Sequence, residues 1–424
     1  MSFPRFFRVR QSLRSHALPS VRQTLLEQLL HHPASNSIAA GDRVAIAVGS
    51  RGIGGLPEVV TTVVQWLKSL HAEPFLVPAM GSHGSANAAG QRDVLQRLGI
   101  DENRMGCQIL SSTETIVLGT FAGGRPIHFD ATAAAADHVI PINRVKLHTR
   151  LIGPIQSGLC KMLMIGLGNH KGAKTYHPIF REVDYRFEAL AAQVIPQILA
   201  KAPIRFGIAL VEDAFEQLGC AEVVNALAIP ARDEALLDLS RQWMARLPIQ
   251  RAELMIVDQI GKEISGTGMD TNIVGRKWHD KLAGETEWPK IDEIYVRSLS
   301  PPSAGNANGI GIAEYTTRSV ADAMDPIKTR INSITASHPT SGALPVWFEN
   351  DVEALQAILQ QRPGNLKEKP WIRIQDTLRL SEIECSEVFF DAMKSNLDLT
   401  ILSEPAELVF DANDNLASLR GQQQ

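Results

Sequence analysis

Short apolar runs alternate in the first part of the chain with glycine-rich loops and amphipathic segments. Val44–Val48 is an apolar run that ends in the glycine-rich loop 49–55, and Pro57–His71 then repeats apolar residues at helical spacing. Pro74–Ala79 is a second such run, followed by another glycine loop and a helical pattern at Ala88–Leu98. The pattern predicts two consecutive strand, loop and helix units.

The same alternation continues downstream and predicts a fold of the α/β class. Strands are predicted at His138–Ile142, Phe206–Val211, Leu254–Ile260, Ile291–Val296 and Trp371–Ile374, β-like segments at Met1–Val9, Thr115–Phe129 and Glu387–Ala392, and helices at Phe187–Leu199 and Asp233–Leu247. Strands that alternate with helices form mainly parallel sheets, and ligands bind outside the carboxyl ends of such strands. Because the polar passage 277–290 is typical of a linker, we expect two α/β domains, at residues 1–286 and 287–424.

Composition narrows the class of protein. The chain has 424 residues, of which 44% are hydrophobic and 21% charged, and a net charge of −4. With this net negative charge, the chain has no overall positive potential that would attract nucleic acid or an anionic membrane. Four scattered cysteines without paired spacing favour a reduced, cytoplasmic protein. Composition does not indicate an oligomeric state.

The loop 49–55 is a candidate site for an anionic group. Its glycines, including Gly52 and Gly54, allow backbone N–H groups to point at a ligand, and Arg51 adds a fixed positive fork. The loop matches neither the dinucleotide-binding nor the P-loop pattern, so a plain glycine turn is the alternative.

Three histidines stand in positions that suit chemistry. His83 lies between glycines on a loop, and His148 follows a predicted strand end, so both are candidates for acid and base work. His177 could ligate a metal through its neutral imidazole. Spacing alone is a weak metal signal, and an ordinary helical histidine is the alternative.

Lys161 follows Ser157-Gly158 and precedes an apolar stretch. A lysine whose amine loses its hydration can act as a nucleophile or as a covalent attachment point. The alternative is a lysine whose stem is buried and whose amine reaches solvent.

Taken together, these residues resemble the nickel-pincer-nucleotide-dependent lactate racemases and their homologues. The resemblance is carried by the loop at Arg51, by Ser82-His83-Gly84, by the Ser-Gly-x-x-Lys motif at 157–161 and by His177. It implies a two-domain α/β enzyme, an isomerase, with an active-site cleft between the domains. It also implies a pyridinium-3,5-bisthiocarboxylic acid mononucleotide attached to Lys161, with nickel held in part by His177.

On the same resemblance, His83 and His148 are the acid/base pair, and Arg51 orients an anionic group. Gly52, Gly54, Ser157 and Gly158 would line the cofactor. This assignment agrees with the chemistry of racemising a 2-hydroxy acid, which needs two bases for two enantiomers and a cofactor to store hydride. Proteins that build the cofactor would be the partners that load it.

Departures from the family pattern bear on the substrate. The aspartate expected in the loop before Arg51 is absent, and the loop at 303–309 has no lysine to pair with a carboxylate. The loops Gly261–Asp270 and Pro301–Gly311 could line a pocket for a larger substrate, so we expect a 2-hydroxy acid other than lactate. Two alternatives stay open: a metal-dependent lyase or dehydratase of sugar acids, and a non-catalytic protein that binds a nucleotide or cofactor.

Overall fold

The computed structural model describes residues 2–419 and divides them into two compact units. One unit comprises residues 14–244, and the other joins residues 2–13 to residues 245–419. Within residues 2–419, no helix combines the length and the apolar character needed to cross a bilayer.

Strands and helices have these bounds, given in chain order. The strands are β1 Phe6–Gln11, β2 Arg43–Val48, β3 Glu73–Pro78, β4 Thr115–Phe121, β5 Arg125–Asp130, β6 His138–Arg144, β7 Phe206–Glu212, β8 Leu218–Asn225, β9 Arg251–Val257, β10 Lys290–Val296, β11 Tyr315–Thr317, β12 Val346–Phe348, β13 Trp371–Ile374, β14 Glu382–Ser386 and β15 Leu399–Ile401. The helices are α1 Val21–His31, α2 Leu56–Ser69, α3 Ala88–Arg97, α4 Glu102–Met105, α5 Ala131–Ala134, α6 Leu159–Lys161, α7 Asn169–Glu182, α8 Phe187–Lys201, α9 Ile229–Trp243, α10 Thr271–Val274, α11 Arg318–Ala323, α12 Pro326–Thr335, α13 Asp351–Gln361 and α14 Phe390–Lys394.

The unit of residues 14–244 is built on a mainly parallel sheet with the strand order β3-β2-β6-β7-β8. Strands β3, β2, β6 and β7 run parallel, and β8 returns antiparallel beside β7. Every residue of β7 is buried, as expected for a strand covered on both faces. Helix α2 buries Val60, Val63, Val64 and Leu67, which share one helical face. The predicted α/β class and the strand, loop and helix units at its start are confirmed.

The second unit contains an eight-stranded sheet with the order β12-β11-β10-β9-β13-β14-β1-β15. Strands β12, β11, β10, β9 and β13 form its parallel part, whereas β14, β1 and β15 pair antiparallel. Of the predicted first strand, Met1–Val9, the part from Phe6 onward is present as β1, residues 2–5 lie before the strand, and Met1 lies outside the described residues. This strand completes the sheet of the C-terminal part of the chain.

Two sequence-based predictions differ from these elements. The predicted division at residue 286 separates β9 from β10, but β9 pairs with both β10 and β13, so residues 245–286 fold together with the later strands of the chain. The sequence pattern predicts a β-like segment at Glu387–Ala392, but this segment is helical, with a short helical turn leading into α14. Its apolar residues Val388, Phe389 and Phe390 suit either structure, because a run this short has no period that separates them.

The placement of β1 predicts which unit a core mutation in it destabilises. Phe7 is 1% exposed, and its ring centroid lies 5.0 Å from that of Phe390 in an edge-to-face arrangement. We expect Phe7→Ala to cost about 3–5 kcal/mol of stability, the usual range for truncating a buried phenylalanine. Hydrogen exchange on the full chain should then quicken in β14 and β13 and stay unchanged in β2 and β6.

The matched control is Phe215→Ala, which truncates a phenylalanine that is 46% exposed. This variant should leave exchange in β14 as in the parent. Equal acceleration in β2 and β14 of Phe7→Ala would contradict the division into units.

Candidate active site

The loops that come after β2, β3 and β6 meet at the carboxyl edge of the sheet in the unit of residues 14–244. A Cβ placed on Gly49 would lie 3.4 Å from Met162 Cε and 3.6 Å from Asn143 Oδ1. A Cβ placed on Gly166 would lie 2.7 Å from the carbonyl oxygen of Ala79. Two strand ends and the β2 loop therefore converge on the stretch 162–166, which comes directly after Lys161.

Lys161 ends the short helix α6 and is followed at once by a wide π-helical turn, Met162–Gly166. Leu159 and Cys160 before it, and Met162 after it, are buried, whereas Lys161 itself is only partly buried. These apolar neighbours pack the turn into the core, and Lys161 is the charged side chain that the turn carries. Insertions of this kind into helices are frequent at functional sites.

The Lys161 amine is depleted of water and of compensating charge. Although part of the side chain reaches solvent, protein atoms crowd it, and the loss of hydration, together with the positive charge of Arg51, lowers the pKa of Lys161 to about 7. The described residues, 2–419, provide no hydrogen bond or ion pair to its Nζ. A large fraction of this amine is therefore neutral near pH 7 and able to act as a nucleophile.

Arg51 and Arg144 make the same edge of the sheet positive. Arg51 is exposed on the β2 loop, yet dehydration and the charge of Arg144 lower the pKa of its guanidinium. Arg144, at the end of β6, forms an ion pair with Glu212 at the end of β7. Two guanidinium groups with one carboxylate beside them suit an anionic group.

Glu212 also orders the loop predicted to bind an anion. Its Oε1 accepts a hydrogen bond of 2.7 Å from the backbone N–H of Gly54. A Cβ on Gly54 would lie 2.2 Å from the carbonyl oxygen of Glu216, so this position has room only for glycine. Gly52 has open space, since the nearest atom to its Cβ position is Leu98 Cδ2 at 4.0 Å. Of the two glycines, Gly52 is thus the one whose surroundings leave space for a ligand.

His83 is exposed on the loop after β3, and its Nδ1 forms a hydrogen bond with the Oγ of Ser50. Ser50 directly precedes Arg51 on the β2 loop. This contact fixes the imidazole beside the Arg51 loop, so the structure brings these two predicted residues together.

His148 has a different setting. Its Nδ1 accepts hydrogen bonds from the backbone N–H groups of Arg150 and Leu151, each 3.0 Å long. A ring nitrogen that accepts two N–H donors carries no proton, so the proton of the neutral imidazole lies on Nε2. His148 therefore presents an N–H donor.

Ser157 and Gly158 connect the His148 loop to the lysine turn. The Oγ of Ser157 donates to the carbonyl oxygen of Lys146 at 2.5 Å and accepts from its N–H at 2.7 Å. The side chain of Asn143 donates to the carbonyl oxygen of Gly158 at 2.6 Å. The Ser157 hydroxyl thus closes the loop, a role that its predicted place in cofactor binding did not include.

His177 lies on α7, which packs near the other site loops. A Cβ on Gly81 would lie 3.7 Å from the Cβ of Ala173 and 3.2 Å from Ile165 Cγ2. Gly81 is two residues before His83, and His177 is one helical turn beyond Ala173 on the same face. The half-buried His177 ring is 6.0 Å from the ring of Phe180.

Sequence reasoning missed three residues of this edge. Arg144, Glu212 and Asp233 are all in contact with the site loops, and Asp233 accepts hydrogen bonds from the backbone of α6. Arg144 and Glu212 each end a parallel strand, which is the one signal that could have selected them. The position of Asp233 depends on the packing of α9 and has no local signature.

Within the part of the chain that the structure describes, no group of three or more His, Cys, Asp or Glu side chains is arranged to hold a metal ion. A metal that used His177 would therefore need its remaining ligands from elsewhere, such as a bound organic group.

Comparison with known proteins finds similar solved structures but no matching family. No family model and no curated protein match the chain. Among solved structures, the chain is similar to a protein from Thermotoga maritima, with a TM-score of 0.49 and 14% identity over 76% of this chain and 83% of that one. It is also similar to the lactate racemase apoprotein from Thermoanaerobacterium thermosaccharolyticum, with a TM-score of 0.45 and 12% identity over 87% of this chain and 84% of that one. Both TM-scores lie below 0.5, so neither likeness fixes the chemistry of this chain.

The lowered pKa of Lys161 predicts a specific pH dependence of stability. Between about pH 7 and pH 10.5, the ordinary lysine value, the unfolded chain keeps a proton that the folded chain has lost. Unfolding then takes up a proton, so the contribution of Lys161 to stability rises with pH over this range and is unfavourable below it. We expect Lys161→Met to remove this rise, measured as the difference between the thermal unfolding curves of parent and variant across the range.

Lys174→Met is the control, because Lys174 is exposed on α7. Its curve should match that of the parent. Parallel pH dependences of the parent and Lys161→Met would show that the Lys161 amine titrates as an ordinary lysine.

Proposed function

We propose that this chain is a racemase or epimerase of a 2-hydroxy acid other than lactate, and that Lys161 carries a nickel-pincer nucleotide. The observation that supports the proposal most directly is the Lys161 amine, which is crowded, lies next to Arg51 and has no counter-charge among the residues that the structure describes. Amide or thioamide formation needs a neutral amine, which a pKa of about 7 provides. The motif resemblance supplies the type of reaction.

The residues present fit such a group. Arg51 and Arg144 bring positive charge to this edge of the sheet, which suits an anionic group such as its phosphate, and Gly52 has open space around its Cβ position. His177 would be one protein ligand to nickel. Because the described residues form no three-ligand cluster, the pincer itself would supply the other donors. When bound, it supplies the hydride acceptor and donor that no side chain can provide.

The protein's own residues would bind the substrate and handle its proton. The planar guanidinium group of Arg51 can hold the substrate carboxylate with two hydrogen bonds and so orient C2, the carbon next to that carboxylate. His83, whose ring Ser50 fixes, is positioned to take the proton of the 2-hydroxyl group.

The two histidines then have unequal roles in this conformation. His148 offers Nε2–H, because its Nδ1 accepts from two backbone N–H groups. It is thus suited to donate a hydrogen bond to the substrate oxygen, while His83 is suited to act as base. For His148 to act as base, its ring would have to change tautomer or rotate, at the loss of both backbone hydrogen bonds.

Attachment at Lys161 predicts a mass change. When the chain is co-expressed with enzymes that make the pincer nucleotide, the peptide containing Lys161 should gain the mass of the cofactor minus that of the water or hydrogen sulfide lost when the bond to the amine forms. Nickel should copurify in equal amount. Lys174→Ala should load as the parent does, and Lys161→Ala should not load at all. Intact mass and metal analysis measure both quantities. Unmodified Lys161 without nickel under these conditions would rule the proposal out.

The fate of the C2 hydrogen distinguishes this function from the alternatives. With 2-hydroxy acids deuterated at C2 in ordinary water, the inverted product should retain its deuterium, since a stored hydride does not exchange with solvent. Mass spectrometry of the products of a substrate panel measures retention. Loss of deuterium would indicate carbanion chemistry or a lyase, and absence of turnover across the panel by the loaded protein would favour a non-catalytic cofactor-binding role.

A further inference from the structure

Asp233 is a buried carboxylate directly beneath the turn that carries Lys161. It lies on α9 and is 1% exposed. Its Oδ1 accepts from the backbone N–H of Leu159 at 3.0 Å and its Oδ2 from that of Cys160 at 2.7 Å. Each of these donors belongs to the two residues that precede Lys161.

The glycine of the Ser-Gly-x-x-Lys motif is explained by the same carboxylate. Gly158 has a φ of +87°, and a Cβ placed on it would lie 2.3 Å from Asp233 Oδ1. A side chain at 158 would therefore displace the carboxylate as well as strain the backbone. Gly158 and Asp233 form one arrangement, in which the glycine makes room and the carboxylate binds the next two N–H groups.

This arrangement is more costly than an ordinary helix cap. Burial raises the pKa of Asp233 to about 7, and the described residues provide no cation within ion-pair distance of it. Burying a carboxylate without a cation is unfavourable, whereas Ser or Asn caps a helix without that penalty. Asp233 is also not paired with the Lys161 amine, so it fixes the turn without supplying the amine with a counter-charge.

We propose that Asp233 is a positioning residue for Lys161. By accepting hydrogen bonds from the backbone N–H groups of Leu159 and Cys160, it holds the amine in its crowded place beside Arg51. The inference rests on the proposed function, because the lysine that Asp233 positions is the one proposed to receive the cofactor. Asp233 itself does not touch the cofactor or the substrate.

The test is Asp233→Asn, which keeps the shape of the side chain but turns an NH₂ group toward one of the two backbone N–H donors. The readout is the pH profile of trace acylation of Lys161 by acetic anhydride, measured by peptide mass spectrometry on the full chain without cofactor. We expect the midpoint for Lys161 to move from about 7 toward the ordinary lysine value, by about one pH unit or more. Asp238→Asn, on the same helix with a side chain 61% exposed, should keep the parent midpoint.

A purely structural role would give a different result. Asp233→Asn would then lower the thermal midpoint of unfolding and leave the Lys161 acylation profile unchanged, which overturns the proposal. If Asp233→Asn does not fold, Asp233→Ser replaces it, because its hydroxyl can still accept one N–H, and the same shift is expected.

The acylation experiment is independent of cofactor loading. A shifted midpoint in Asp233→Asn together with an unloaded Lys161 in the parent would sustain the positioning role and reject the proposed function. An unshifted midpoint together with a loaded parent would do the reverse.

Discussion

The candidate site depends on one constraint: a lysine amine is held where water is scarce, and no carboxylate among residues 2–419 balances its charge. An ammonium group in such a place is unfavourable, so the amine gives up its proton near pH 7. The apolar residues around Lys161 bury the turn, and Arg51 adds a second positive charge. The energy that keeps the lysine there comes from the core beneath it and from the hydrogen bonds that tie the turn down.

The sheet supplies the geometry for this constraint. Parallel strands bring their carboxyl ends to one edge, so the loops after β2, β3 and β6 meet although they are far apart in sequence. Short contacts then join them: Ser50 to His83, Glu212 to Gly54, and Asn143 to Gly158. Two of these contacts involve a glycine, Gly54 or Gly158, at which a Cβ would overlap a neighbouring atom. Gly54 and Gly158 thus allow close packing, whereas Gly52 leaves open space beside its loop.

Local sequence patterns were sufficient to predict the elements that they alone determine. Strand β2, its glycine loop and α2 arise from an apolar run, a cluster of glycines and a helical period, and these predictions are confirmed. Residues brought in by distant elements could not be predicted: Asp233 arrives on α9, and β1 pairs with β14 and β15 from the other end of the chain. The proton position on His148 depends on two backbone N–H groups, which a residue pattern does not record. Cofactor attachment at Lys161 and nickel ligation by His177 stay predictions.

The central claim is tested most directly by the ionisation of Lys161 in the folded chain without cofactor. Nuclear magnetic resonance of lysine side chains labelled with ¹³C and ¹⁵N, with Lys161 assigned through Lys161→Arg, reports this as a titration curve. A midpoint near 7, set apart from the other lysines, is the result that a dehydrated amine beside Arg51 requires. A midpoint close to 10.5 would show that the amine is hydrated and charged, and the account of the site would be wrong.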